Sequence, residues 1–279
     1  MKKFIYTVDQ NPITLNVEGK TDWGNDEILI NKEQNLIKHS TFKDIGYIVT
    51  EFLSEDLLKD LKVKIINHIN KFIEPVINKN YNINTISNYH KHVTNEEHLK
   101  IVSNIYKAVE GRGIKTSDID FNFSKIENRI TQICNSPNKL TCKMPRNTHK
   151  EFYIRLVRPT STLDANPPHR DVWIDRLKNA VNIHFIVAGN SNKSTLAVLP
   201  GSHKLNENEI FRTIKGAQIN GLKYQVPSVI NTKNISMDFI RPRIMDNDVM
   251  VFSPYMIHGG GPNFSNKTRV SLEMRFWKK

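Results

Sequence analysis

The chain has 279 residues, 38% of them hydrophobic and 24% charged, with only 12 Gly and 12 Pro. That profile excludes collagen-like and wholly disordered classes and is long enough for a substantial core. Forty Lys and Arg against 28 Asp and Glu give a formal charge of +12, yet the basic residues are scattered and carry no nucleic-acid-binding signature, so nucleic acid is not the expected partner.

Residues 1–40 are mixed and polar, with strand-like pieces at residues 3–8 and 28–30. The apolar run behind the basic tip ends at Asp9, too short for a secretory signal, which needs about 7–15 residues. No stretch reaches the ~18 apolar residues of a membrane span. Cys134 and Cys142 are too few for a disulfide framework or a Cys-rich zinc site and suit a reducing compartment. The expectation is a cytoplasmic protein without a membrane partner.

From Thr41 the text becomes regular. A short strand around Tyr47 leads to Ser54, an N-cap followed by Glu55 and Asp56. Leu58, Leu61, Ile65, Ile69, Phe72 and Val76 then recur at helical spacing until Pro75 and an Asn-rich stretch. Thr94 and Glu97 have capping-box spacing and open a second helix through Leu99, Val102, Ile105, Tyr106 and Val109, stopped by Gly111. A third is expected from about Ile119 to Cys134, with Phe123, Ile126, Ile130 and Ile133 on one stripe.

From Glu151 the period changes to two. FYIRLVRP, AVNIHFIVAG, TLAVLP, DFIRPRI, DVMVF and TRVSLEMRFW read as short strands separated by Gly, Pro, Asn or Asp. Many short strands without βαβ alternation suggest a double-sheet jelly roll. The expected architecture is α+β and a single domain over 1–279: a mostly helical part, 1–150, packed on the outer face of a β core, 151–279. In the last strand Val270, Leu272, Met274 and Phe276 share one face, and Arg269, Ser271, Glu273 and Arg275 the other. Asn182 and His184 likewise oppose Ile183, Phe185 and Val187. Such polar faces either line an interior that a ligand completes or simply meet water.

Ten histidines are present, most in polar surface text. NPPHRD sets His169 and Asp171 two apart, on one side of an extended segment. The tripeptide is weak evidence, since His149 and Glu151 form a similar pair. His258 strengthens it: it follows an apolar strand, precedes three glycines, and lies eleven residues before Arg269, with Ser271 beyond. Two histidines and one carboxylate form the facial triad of non-haem Fe(II) oxygenases, which leaves positions for a 2-oxo acid and O2. The planar fork of Arg269 suits the far carboxylate of such an acid.

From Thr41 to Trp277 the chain resembles the phytanoyl-CoA dioxygenase family of Fe(II)/2-oxoglutarate-dependent oxygenases. The resemblance rests on FKDIGYIVTEFLSEDLLKDL, PPHRD, VLPGSHK and DNDVMVFSPYMIHGGGPNFSNKTRVSLEMRFW, in that order. It implies a double-stranded β-helix, with iron on His169, Asp171 and His258 and the C5 carboxylate of 2-oxoglutarate on Arg269 and Ser271. It nominates Asn182 and His184 for the cosubstrate, although His184 also reads as a satisfied core histidine. His203, in the P-G-S-H turn, reads as structural. Because Asp171 is intact, whereas halogenating relatives lack this carboxylate, hydroxylation or a related C–H oxidation is expected. Candidates to meet the substrate are Arg170, Trp173 and Arg275.

The function so implied is an Fe(II)- and 2-oxoglutarate-dependent dioxygenase that hydroxylates a small metabolite, anionic or not (a sugar, amino acid, acyl or natural-product derivative), and uses O2 as cosubstrate. The alternative is a non-catalytic jelly-roll protein that binds an anionic sugar or nucleotide. The oligomeric state and the substrate stay open.

Overall fold

A computed structural model describes residues 2–25, 36–77, 83–107, 113–145, 149–161, 164–174, 177 and 179–279. Residues 28–30, Val109 and Gly111, for which a strand, a helical stripe and a helix stop were expected, lie outside the described residues.

The chain begins with strands β1 (Lys2–Val8), β2 (Asn11–Glu18) and β3 (Thr21–Trp23). After β4 (Tyr47–Glu51) come helix α1 (Glu55–Ile73), helix α2 (Asn95–Lys107), β5 (Ile114–Lys115), helix α3 (Ser124–Ile133) and β6 (Leu140–Thr141). The β half holds β7 (Glu151–Val157), β8 (Val181–Ala188), β9 (Ile210–Thr213), β10 (Ala217–Ile219) and β11 (Leu222–Tyr224). It closes with β12 (Val229–Thr232), β13 (Asp238–Phe239), β14 (Asp248–Phe252) and β15 (Arg269–Lys278).

The large sheet runs β4-β14-β8-β15-β7-β5, with β6 on the end of β15. Two smaller sheets, β11-β10-β2-β1-β13 and β12-β9-β3, share a second core built on Tyr6, Val8, Leu15, Val17, Ile210 and Phe239. The N-terminal strands thus complete sheets of the β half: β1 pairs with β13, β2 with β10 and β3 with β9. Strand β1 matches the strand-like piece expected at residues 3–8, whereas β2 and β3 lie in text read only as mixed and polar. Their alternating burial needs strand partners, and those come from the far end of the chain.

Expected strands TLAVLP and DFIRPRI shrink to the two residues of β13 and isolated bridges at Val198, which pairs with both Ile240 and His258. Pro200 and Pro242 lack the N–H a longer ladder would use.

Helix α1 buries Leu58, Leu61, Ile65 and Ile69, as its spacing predicts, but Ile73 continues the stripe in place of Phe72 and Val76, which are only partly buried. The capping box of α2 forms, with Thr94 N–H donating to Glu97 Oε2 at 2.7 Å and Glu97 N–H to Thr94 Oγ1 at 3.2 Å. Its buried face is nevertheless set by His98, Ile101 and Ile105, while Leu99 is 58% exposed. His98 turns inward because Tyr89 O–H lies 3.1 Å from its Nδ1 and Asp164 Oδ1 3.3 Å from its Nε2. Helix α3 starts later than expected, where Asn122 Oδ1 accepts from both the backbone N–H and Oγ of Ser124, a local bond that favours a helix start over continuation.

The main core lies between these helices and one face of the large sheet. Val181, Ile183, Phe185, Val187, Val270, Leu272, Met274 and Phe276 pack there with the α1 stripe. Each such burial stabilises by roughly 1.5–3 kcal/mol. The period of two then sends the alternate residues to the inner side. Across β8 and β15, His184 pairs with Glu273 and Asn182 with Arg275. Asn182, His184, Arg269, Ser271 and Glu273 are all buried although polar. The polar faces therefore line an interior.

Candidate active site

His169 and His258 meet across an antiparallel bridge, each backbone N–H donating to the other's carbonyl at 3.0 and 3.1 Å. Gly259, with φ +94°, makes this approach possible: a Cβ there would lie 3.0 Å from the carbonyls of Asn166 and Pro167 and 3.3 Å from His169 Nδ1. Asp171 follows on the same side as His169. Its Oδ1 lies 3.5 Å from His169 Nε2 and 3.8 Å from His258 Nε2.

Both imidazoles are oriented by their own backbone. His169 Nδ1 bonds the Pro167 carbonyl at 2.8 Å and His258 Nδ1 the Met256 carbonyl at 3.0 Å. A carbonyl accepts only, so each Nδ1 carries the proton and each Nε2 presents its lone pair to the shared space. Ligand atoms of His169, Asp171 and His258 lie within 4.8 Å of one another, and no other such group of three occurs among the described residues. His149 and Glu151 lie 3.6 Å apart and gain no third ligand.

The other carboxylate oxygen of Asp171, Oδ2, accepts from Asn182 Nδ2 at 3.0 Å and from Arg275 Nη2 at 3.1 Å and Nε at 3.3 Å. Burial alone would raise the Asp171 pKa, but Arg275 and the two histidines hold it well below the usual carboxylate range. Burial, reinforced by His169, pushes His258 down to about 4. A neutral imidazole at His258 and an ionised carboxylate at Asp171 are donor states that a divalent metal needs. The residues present fit the metal.

The cosubstrate side also fits. A cavity beside His258 is lined by Asn182, His184, Arg269, Glu273 and Arg275, among others. Several polar atoms on its walls are buried without a partner: Arg269 Nε, Asn182 Oδ1 and both ring nitrogens of His184. Ser271 Oγ, on the same face of β15, is likewise unpartnered but does not line the cavity. Arg269 is anchored by one nitrogen to the Ser194 carbonyl. Burial lowers its pKa only to about 10, so it stays charged. Burial, then Arg269, pushes His184 down to about 3, so it is neutral. Unpartnered buried polar groups cost about 1–3 kcal/mol each, a cost that a dianion with two carboxylates and a ketone would offset.

Two sequence-predicted residues take other places. Arg170 points away from Asp171, as the residue between two same-sided neighbours must, and is fully buried. It donates to Glu207 Oε1 at 3.0 Å and to the carbonyls of Ser202 and Leu205. Trp173 Nε1 donates to the same Glu207, and Arg212 stacks on the Trp173 ring at 4.9 Å. Neither meets the cavity, so the expectation that they face a substrate is corrected. Asn182 spends its amide N–H on Asp171, leaving only Oδ1 toward the cavity. His203 Nε2 donates to the Lys43 carbonyl at 2.8 Å, in keeping with a structural role.

Arg155, Glu273 and Asn166 are the residues that sequence reasoning passed over. Arg155 Nε donates to Glu273 Oε1 at 2.8 Å. Burial would raise Glu273, but Arg155 and Arg275 hold it down at about 2. The signal was present: Tyr153 and Arg155 alternate with Ile154 and Leu156 in β7, as the polar face of β15 does.

No curated protein matches the chain by sequence. Similar solved structures include EvdMO1, at 18% identity over 87% of this chain and 49% of that one, TM-score 0.46, so this chain spans about half of its length. AviO1 from Streptomyces viridochromogenes Tue57 matches at 15% identity over 87% and 93% of the two chains, TM-score 0.44. EctD from S. alaskensis, with 2-oxoglutarate and 5-hydroxyectoine, matches at 12% identity over 95% and 83%, TM-score 0.46. The family model described as Phytanoyl-CoA dioxygenase (PhyH) matches residues 42–271, most of the chain and all of the converging ligands, and the chain belongs to that family.

Proposed function

We propose that this oxygenase-family chain is an Fe(II)- and 2-oxoglutarate-dependent dioxygenase that hydroxylates a small molecule. The observation that carries the reading is the convergence of two Nε2 lone pairs and Asp171 Oδ1 within 4.8 Å, beside a cavity whose buried donors lack partners.

His169, Asp171 and His258 would hold the metal on one face. Ferrous iron, when bound, supplies the activation of O2 that couples conversion of 2-oxoglutarate to succinate and CO2 with insertion of the second oxygen atom into a substrate C–H bond. The chain does the rest. Arg269 anchors the distal carboxylate through its unpartnered edge, and Ser271 adds a hydroxyl on the same face. Asn182 and Arg275 fix the carboxylate plane of Asp171. The apolar cluster behind β8 and β15 keeps that wall of the site dry.

The test is succinate release from 2-oxoglutarate under air, with Fe(II) and with Fe(II) chelated. Iron- and O2-dependent succinate, lost in His258→Ala, is expected. Equal succinate with and without chelator overturns the reading.

A further inference from the structure

A second cavity of about 180 Å³ opens on the other side of the three ligands. It is lined by His169 and Asp171, whereas the cosubstrate cavity is lined by His258. The two share Arg155, Asn166 and Arg275, so the candidate metal site and two guanidinium groups form the wall between them. Its far side is built by Tyr153, Tyr224 and Gln225 with the apolar Ile174, Leu177 and Val226. Drug-sized ligands occupy roughly 300–1,000 Å³, so this space takes a compact molecule.

Charge bookkeeping points to its sign. Around the two cavities stand Arg155, Arg269 and Arg275 against Asp171 and Glu273, since Asp164 is held by Arg158 at 2.9 Å. The protein contributes one net positive charge. A divalent metal and the dianion of 2-oxoglutarate cancel each other, and metal-bound histidines are neutral. That single positive charge persists in the loaded site, and buried charge left uncompensated is costly. With Asp171 committed to the metal and Arg269 to the distal carboxylate, Arg155 and Arg275 share only Glu273, at 2.8 and 3.8 Å, so the surplus falls on the shared wall, where Arg275 also stacks over the Tyr153 ring at 4.9 Å.

We propose that the cavity walled by Arg155, Arg275, Tyr153, Tyr224 and Gln225 is the prime-substrate site, and that it takes a small monoanionic metabolite, a monocarboxylate, with its charged end on the two arginines. This rests on the oxygenase reading and adds to it the place and the charge of the substrate. The two phenols and the Gln225 amide offer hydrogen bonds to hydroxyl groups, and Ile174, Leu177 and Val226 cover the carbon skeleton.

The experiment is equilibrium titration under nitrogen, where no turnover occurs, of protein loaded with Fe(II) and 2-oxoglutarate. The probes are short-chain hydroxy monocarboxylates, each against its primary amide. Acids should bind roughly ten- to a hundred-fold tighter than their amides, as charge-assisted contacts imply. Gln225 is exposed and tolerates replacement. Gln225→Lys should tighten the acids and Gln225→Glu loosen them relative to their amides, by about two- to fivefold for a solvent-screened charge, since loss of the Gln225 amide affects acid and amide alike. Opposite signs from one position separate a charge effect from a folding defect. Amides binding as well as acids, no acid binding at all, or both Gln225 variants shifting acids and amides alike would overturn this proposal alone. Failure of the wild type to load Fe(II) and 2-oxoglutarate would sink the oxygenase reading with it.

Discussion

Arg275 grips Asp171 by one oxygen and leaves the other to the histidines: its Nη2 and Nε lie 3.1 and 3.3 Å from Oδ2, while Oδ1 faces His169 and His258 at 3.5 and 3.8 Å. The carboxylate is thereby held in one plane, with its ligand lone pairs aimed at the converging imidazoles. Asn182 shares the task from the neighbouring strand.

Loss of that grip should weaken metal binding without abolishing it. Arg275→Met is expected to raise the Fe(II) dissociation constant by about 10–100-fold, the usual scale for residues that orient a ligand. Arg275→Lys keeps the charge but not the fork and should fall between. Anaerobic metal titration measures both, and an unchanged constant in Arg275→Met would show that Asn182 alone suffices.

Removing a ligand itself should be more severe. His169→Ala and His258→Ala should each lose bound iron and 2-oxoglutarate turnover together, whereas Asp171→Ala keeps two imidazoles and should retain some iron. Iron content after desalting, read beside succinate release, checks this. Near-normal turnover in either histidine variant would refute the assigned set.

Arg269 separates cosubstrate from metal. Arg269→Lys should leave iron affinity in place while the dissociation constant for 2-oxoglutarate rises roughly ten- to a hundred-fold, because one bidentate, charge-assisted contact is worth about 1.5–3 kcal/mol. Titration of the iron-loaded protein with 2-oxoglutarate decides it.

His184 predicts acid sensitivity. Its pKa is about 3 in the fold and about 6.5 in an unfolded chain. Between those values the unfolded state binds more protons, so stability rises with pH and is lost as pH falls below about 6.5. By pH 5 this one group costs about 2 kcal/mol. Glu273 adds its own loss only below its ordinary value of 4.5. Urea unfolding of the metal-free protein at pH 7 and pH 5 should show the drop, and His184→Leu should reduce it. An equal drop in both proteins would place the sensitivity elsewhere.

Glu207 should prove structural. It faces Arg170 at 3.0 Å and Arg212 at 3.4 Å, with all three side chains at most 4% exposed. Glu207→Gln leaves two buried guanidiniums without their counter-charge, and a loss of about 3–5 kcal/mol in unfolding free energy is expected. A loss below 1 kcal/mol would mean that the Ser202 and Leu205 carbonyls satisfy Arg170 unaided.

Much of the site was legible because its signals are local. The i, i+2 spacing puts His169 and Asp171 on one side of an extended segment, and the same rule sends Arg170 to the other. Alternation along β15 separates Val270, Leu272, Met274 and Phe276 from Arg269, Ser271, Glu273 and Arg275 by covalent geometry alone. The capping box at Thr94 and the N-terminal end of α1 are likewise contained within a few consecutive residues.

What the tertiary structure decided is everything that needs a partner distant in sequence. Period two does not say which strand face is inside; the α1 stripe settles that by covering the apolar one. Helical spacing placed Leu99 inward, but the Tyr89 and Asp164 partners of His98 rotate α2 until Leu99 meets solvent. No sequence rule pairs the backbone of His169 with that of His258, or gives Arg170 and Trp173 to Glu207. Nor does one turn Asn182 and Arg275 onto Asp171. Side-chain direction follows from the local chain, whereas the choice of partner follows from burial: once desolvated, each polar group must bond whatever the packed sheets bring within reach.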